Sequence, residues 1–222
     1  DLLFHNRSTI PMLIAACRQN LLWAEAVFLC QQYEQYETCI ELMMDHSAVA
    51  WKHELFKEIL AKCSNSDSFY RAIDFYLAEH PLMLNDVLLE AEKKVDPSRV
   101  VFKLRQAKHL PLITKYLLHV QHNDVAVVNE ALHELYIEEE NHRALRTSIQ
   151  EHSHFDMIAL AQKLEQHELL EFRRLAIQLY QKLERWEKAV ELAKKDELWE
   201  DAMETAAVAK NGDLTQELLR FF

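Results

Sequence analysis

A chain of 222 residues with a single glycine, Gly212, has few ways to turn. Hairpins, doubly wound sheets and barrels set many residues at positive φ, where glycine alone carries no steric penalty. The shortage excludes most β-containing folds. It also excludes glycine-rich phosphate loops, whose backbone amides need several glycines to close around an anion, so P-loop and dinucleotide sites are not expected. Half of the residues are hydrophobic, ample for a sizeable core. Helices are left to bury them.

Apolar residues recur at three and four positions in segments of about 10–14 residues. The spacing predicts about fifteen short helices, at 11–19, 21–32, 35–45, 54–63, 67–79, 82–94, 97–107, 110–121, 124–139, 142–151, 154–165, 168–182, 185–195, 198–209 and 212–222. Pro11, Pro81, Pro97 and Pro111 stand at or near first turns, where the missing N–H costs nothing. Ser66, Asp124 and Ser153 are the expected N-caps, and Asn211 with Gly212 the expected stop or corner after Lys210.

Several segments carry an aromatic, a small residue three later, and a compact one four beyond that. Trp23/Ala26/Cys30 and Tyr36/Cys39/Met43 are offset by 13 residues, as are Trp186/Ala189/Ala193 and Trp199/Ala202/Ala206. Small residues on one face let a neighbouring helix approach closely while the ring fills the adjoining gap. Many short helices with short connections suit a stack of pairs better than one central core. The expectation is an all-α solenoid running through residues 1–222 without an internal domain boundary.

Net charge is −11, which opposes binding to nucleic acid or to an anionic membrane surface. Cys17, Cys30, Cys39 and Cys63 lie in helical patterns without C-x-x-C spacing, which fits a reducing, cytoplasmic compartment. No apolar run is long enough to span a membrane, and Asp1-Leu2-Leu3-Phe4-His5 lacks the order of a signal peptide. That start reads as a cut through a longer chain.

The twelve histidines do not assemble into a metal or catalytic motif. His152/His154 and His119/His122 lack a nearby thiolate or carboxylate set at zinc spacing, and in His167-Glu168-Leu169-Leu170-Glu171 the last residue replaces the second histidine of a zincin helix one position early. Glu138-Glu139-Glu140 reads as a solvated helix end. No catalytic, cofactor-binding or metal-ligating residue is expected, and no enzymatic activity. Charge, however, is banded. Residues 97–123 hold five basic residues and no acid, residues 130–171 hold ten acids against three bases, and residues 172–195 hold seven bases against three acids. Such bands can fix the register of a second rod laid alongside.

The stretches Phe69-Tyr70-Arg71-Ala72-Ile73-Asp74-Phe75-Tyr76-Leu77, Leu84-Asn85-Asp86, Leu110-Pro111-Leu112, Ala144-Leu145-Arg146-Thr147-Ser148, Leu160-Ala161-Gln162-Lys163-Leu164-Glu165 and His167-Glu168-Leu169-Leu170-Glu171-Phe172-Arg173-Arg174 closely resemble the proximal leg of the clathrin heavy-chain family. Arg185-Trp186, Lys194-Lys195-Asp196 and Asp201-Ala202-Met203 continue the match, which runs from Phe4 to Phe222; His80, Glu92 and Asp124 to Val128 depart from it. The resemblance implies an elongated, right-handed α-α superhelix, a zigzag of about one and a half heavy-chain repeats. It further implies a structural role on the cytoplasmic face of coated pits and vesicles, with clathrin light chain and other heavy-chain legs as partners and no direct membrane insertion. A vacuolar-sorting tether subunit with the same repeat, or a peptide-binding helical-repeat adaptor, are the alternatives. Light chains of the family are acidic, so the basic bands supply the contact candidates Arg99, Lys103, Arg105, Arg173, Arg174 and Arg185. Full histidine protonation would bring the charge from −11 to +1, so acidification should favour leg-to-leg association. His133, His142, His152, His154 and His167, within the acidic band, are the expected responders.

Overall fold

The structure is a computed structural model that describes residues 9–210 and 212–220. Readings that fall on Asp1 to His5, Asn211 and Phe222 lie outside these residues. Two units are present, Asp1–His122 and Asn123–Phe222. The first holds α1 (Ile10–Gln19), α2 (Trp23–Gln32), α3 (Tyr36–Asp45), α4 (Ser47–Ala50), α5 (His53–Lys62), α6 (Ser66–Glu79), α7 (Leu84–Glu90), α8 (Pro97–Gln106) and α9 (Thr114–Val120). The second holds α10 (Ala126–Glu138), α11 (His142–Glu151), α12 (Met157–Glu165), α13 (Leu170–Lys182), α14 (Trp186–Lys195), α15 (Trp199–Ala209) and α16 (Gly212–Leu219).

Among the described residues there is no strand, as the glycine shortage required. The sixteenth helix is the short turn α4, which the periodicity missed because it is too brief to show a stripe. The segments expected at 82–94 and 110–121 are subdivided. Each opens with a 3₁₀ turn, Pro81–Met83 or Leu110–Ile113, before α7 and α9. Proline at those first turns, and in α1 and α8, sits where predicted.

Helices of about ten residues are marginal alone and take their stability from packing. Within the first unit α1 lies on α2 and α2 on α3; within the second, α12 packs on α13, α13 on α14 and α14 on α15. The aromatic-small pattern opens these helices, with Trp23, Tyr36, Trp186 and Trp199 each at the first helical position. Ala26, Cys30, Cys39, Met43, Ala189, Ala193 and Ala202 are fully buried and Ala206 nearly so. The rings themselves are half-buried and do not fill the core. Trp23 and Trp51 instead stack on His46 and His80, at 3.5 and 3.8 Å between centroids.

The corners explain how the chain turns without glycine. Leu21, Glu34, Lys108, Asp124, Glu140, Glu184, Glu197 and Lys210 all adopt positive φ, between 48° and 60°. Each stands two residues before the next helical turn begins. At Glu34, Glu140, Glu184 and Glu197 the backbone closes a Schellman motif, as in Glu184 N–H to Gln181 O (3.0 Å) and Arg185 N–H to Tyr180 O (2.9 Å). A ten-residue helix plus this three-residue corner is the origin of the 13-residue offset. Each non-glycine αL residue costs on the order of 1 kcal/mol, offset by the helix packing that the corner permits. The expected stop at Gly212 is corrected. Lys210, at φ 49°, makes the corner, and Gly212 opens α16.

The expected caps also move. Asn65, not Ser66, caps α6 by accepting from Asp67 N–H, and Asp156, not Ser153, caps α12 by accepting from Ala159 N–H at 2.9 Å. Asp124 lies two residues before α10, and no side-chain cap forms there.

Polar side chains stitch the layers together over separations of 26 to 33 residues. Arg71 meets Glu41, Lys103 meets Asp74, and Arg174 meets Asp201. Tyr70 accepts from Asp96 N–H at 3.1 Å, and Lys182 donates to Ile149 O at 3.0 Å. Asn85 uses both ends of its amide, donating to Leu112 O while accepting from Tyr116 N–H at 3.0 Å.

Candidate functional site

The basic candidates of the first band lie on α8. Asp96 caps this helix by accepting from Ser98 N–H at 3.0 Å, and Lys103 and Arg105 fall in its last turn, where cations complement the dipole. Val100, Val101 and Leu104 are fully buried, which turns the opposite face outward. That face presents Arg99, Phe102 and Arg105, with Phe102 62% exposed. The cations are not all free for a partner. The Arg99 guanidinium rests 3.7 Å from the Tyr70 ring centroid and 3.9 Å from Asp67, while Lys103 lies 2.7 Å from Asp74. The structure thus brings Arg99, Lys103 and Arg105 onto one helix, and acids of α6 neutralise part of the band.

The second basic group divides. Arg173 donates through Nε to Asp196 (2.8 Å) and through Nη1 to the carbonyls of His167 (2.8 Å) and Glu168 (2.6 Å), so its guanidinium braces α13 against two loops. Arg174 engages Asp201 through two nitrogens at 3.0 and 3.4 Å, and that carboxylate holds the guanidinium charged. Arg185 stands exposed at the corner before α14. Among the described residues Arg173 and Arg174 are committed to braces, whereas no brace is seen for Arg185. The sequence could not show this, because Asp196 and Asp201 lie 23 and 27 residues away.

Among the histidines of the acidic band, His133 is corrected. It sits on α10 at 2% exposure, its Nε2 3.0 Å from Ser148 Oγ and its ring edge-on to Phe155. Burial pushes its pKa down to about 4, so it is neutral throughout the window in which surface histidines titrate. His142 and His167 flank the buried Phe172, at 6.2 and 4.2 Å between centroids. His167 Nδ1 accepts from Leu169 N–H at 3.1 Å. His152 and His154 converge on Asp124, at 3.7 and 2.5 Å from its carboxylate.

Asp124 is the residue whose importance the sequence concealed. Besides His154 Nδ1 its carboxylate accepts from Asn129 Nδ2 at 2.7 Å and from the amides of His154 and Ser153 at 3.4 and 3.5 Å. The hydrogen bond from His154, then those from Asn129 and the two amides, hold its carboxyl well below the usual carboxylate range. Asn129, fully buried, also donates to His154 O at 3.0 Å. Together they lash the entrance of α10 to the loop between α11 and α12.

Chemically the chain is quiet. Burial raises the Cys39 thiol to about 12 and that of Cys63 to about 11, so neither is a nucleophile at neutral pH. Among the described residues no group of three or more His, Cys, Asp or Glu could hold a metal ion, and no helix is long and apolar enough to cross a membrane. An open depression of about 1080 Å³ lies between α1, α2 and α3, and a smaller groove of about 280 Å³ between α10 and α12. Both hollows are open to solvent, an arrangement that can bind through surfaces.

Comparison with known proteins gives consistent matches. The family profile described as "Region in Clathrin and VPS" matches residues 88–222. The chain is 47% identical over 220 residues to "Clathrin heavy chain" of Dictyostelium discoideum and 46% identical to "Clathrin heavy chain 1" of Arabidopsis thaliana. It is 44% identical to "Clathrin heavy chain 2" of Homo sapiens. Each match covers 99% of this chain and 13% of the relative, so the chain spans a small part of these proteins' length.

Proposed function

Because this chain belongs to the clathrin heavy-chain family, we propose that it serves as a structural leg segment of the clathrin coat in vesicle-mediated transport, on the cytoplasmic face of coated pits and vesicles. It acts by binding clathrin light chain and by packing against other heavy-chain legs, and it is not an enzyme. The observation that carries this reading is identity at 44–47% along essentially the whole chain to heavy chains of three kingdoms-distant organisms. A vacuolar-sorting tether shares the matched region by its description, but the end-to-end relatives named above are clathrin heavy chains. The unreactive thiols and the surface-bound polar groups suit a scaffold.

Within that role the chain is expected to belong to one run of about one and a half heavy-chain repeats, the elongated right-handed superhelix that the family resemblance implies. A compact globule of this length would have a radius of gyration near ~17 Å. Small-angle scattering on the purified chain is expected to give a clearly larger value; the compact value would remove the elongated superhelix.

Light chain docks on basic surface, since an acidic partner is drawn to a chain of net charge −11 only by local cations. In a pull-down, a clathrin light chain is expected to be retained by the wild-type chain. Reversing Arg99, Lys103 and Arg105 to Glu should weaken retention and flatten its salt dependence. Full retention by that variant at low salt would refute the electrostatic docking, and failure of the wild type to retain light chain would refute the partner. Arg173 is unsuited to this test because its reversal would break the brace to Asp196.

A further inference from the structure

Residues 152–156, between α11 and α12, form no regular element, and both ends of this strap are anchored. His152 closes α11 by donating its N–H to Ser148 O at 3.0 Å, while Asp156 donates its own N–H to Glu130 at 3.3 Å and caps α12. Between these anchors the strap leans outward on Asp124 and Asn129. The Asp124 carboxylate takes His154 Nδ1 at 2.5 Å and, more loosely, the amides of His154 and Ser153, while Asn129 donates to His154 O at 3.0 Å. The next residue turns the other way. Phe155 is half-buried, sets its ring edge-on to that of His133 at 4.8 Å between centroids, and lines the groove between α10 and α12. One short strap thus carries the residues held by Asp124 and the ring that covers His133.

We propose that residues 153–155 are a lid over His133, hinged at His152 and Asp156 and latched shut by the Asp124 carboxylate. In the closed state Phe155 keeps water from the His133 ring. In the open state the bonds from Ser153 and His154 to Asp124 are lost, Phe155 withdraws, and the α10–α12 groove reaches inward to His133. The lid opens on its own because it closes on few contacts: it offers one aromatic ring to the interior and contributes nothing to a helix, and segments of that kind open well below the free energy of global unfolding. The latch decides the balance because hydrogen bonds to a charged acceptor are roughly twice as strong as neutral ones. Titratable and charged groups also surround the His133 ring. His152 acts on it from the hinge, and Glu130 and Glu134 of α10, Asp156 of the strap and Lys163 of α12 border the groove. All of these are kept in the variants below, so a change at His133 reports the lid.

The test combines native-state hydrogen exchange with an NMR titration of the histidine rings in the full chain. Asp124→Gly removes the carboxylate and keeps the corner, because glycine adopts the φ of 48° without penalty. His154→Ala removes the shortest latch bond through a side chain that is 71% exposed. In each variant the amides of Ser153 and His154 are expected to lose at least about tenfold in protection while those of α13 and α14 keep theirs. His133 is expected to titrate at least about one pH unit above its folded value of about 4, since an open lid admits water to the ring. Circular dichroism checks helicity; if Asp124→Gly loses it, His154→Ala decides alone. An unchanged His133 titration in a folded variant overturns the lid, even where the strap amides exchange faster, because Phe155 then stays in place. A loss of protection spread evenly from α10 to α14 overturns it as well, since Asp124 would then stabilise the unit as a whole and latch nothing.

Discussion

Phe172→Ala is expected to destabilise the chain by about 3–5 kcal/mol, the usual cost of emptying a fully buried phenylalanine site. Phe172 has no exposed surface, lies in the first turn of α13, and is flanked by the rings of His142 and His167. α13 packs on both α12 and α14, so a cavity at its start has rigid walls on two sides and little scope to collapse. For a domain of this size each kcal/mol lowers Tm by about 2–4 °C, giving a fall of roughly 10 °C. Phe102→Ala is the matched control. With 62% of its surface already in water, it should change the stability of the monomer by no more than about 0.5 kcal/mol. Thermal unfolding of the two variants side by side checks the difference; equal shifts would contradict the packing described for α13.

The second large effect is a loss of stability in acid that traces to His133. Its folded pKa of about 4 lies below the ordinary value of 6.5 because burial excludes the charged form. Above pH ~6.5 the ring is neutral in both folded and unfolded chains, and stability is unaffected. As pH falls from ~6.5 towards ~4 the unfolded chain takes up a proton that the folded chain refuses, so stability drops. At 1.36 kcal/mol per pH unit the loss approaches about 3 kcal/mol by pH ~4, where it levels off. Urea unfolding across this range should show the slope in the wild type and a flatter profile in His133→Phe, whose ring cannot titrate. An unchanged slope in that variant would assign the acid sensitivity elsewhere. The consequence for association is direct: acidification acts at His133 on folding, so this buried ring is no source of an acid-driven leg contact.

How much of this was legible in the sequence depends on the distance over which each feature is decided. Trp186/Ala189/Ala193 and Trp199/Ala202/Ala206 revealed both a helix start and its buried face, because a 3.6-residue period is imprinted on each segment by itself. The 13-residue offset was visible too, but its cause was not. No residue type announces that Glu184 and Glu197 take the left-handed conformation, since glutamate does so only where the packed helices on either side hold it. Asp124 illustrates the same limit. Its neighbours suggest a helix cap, whereas the carboxylate is claimed by Ser153 and His154, 29 and 30 residues further on.

The sequence by itself determined the all-helical class, through one glycine and the apolar periodicity, and the family, through runs of residues that match clathrin heavy chains end to end. Both are written locally, residue against near neighbour. Only the tertiary structure decided which charges survive at the surface. Arg99, Lys103, Arg173 and Arg174 look alike in a count of basic residues, yet each leans on an acid 23 to 32 residues away, and burial alone silences His133. Coulomb attraction and desolvation depend on positions in space, and those positions are fixed by how one helix stacks on another rather than by the order of residues within it.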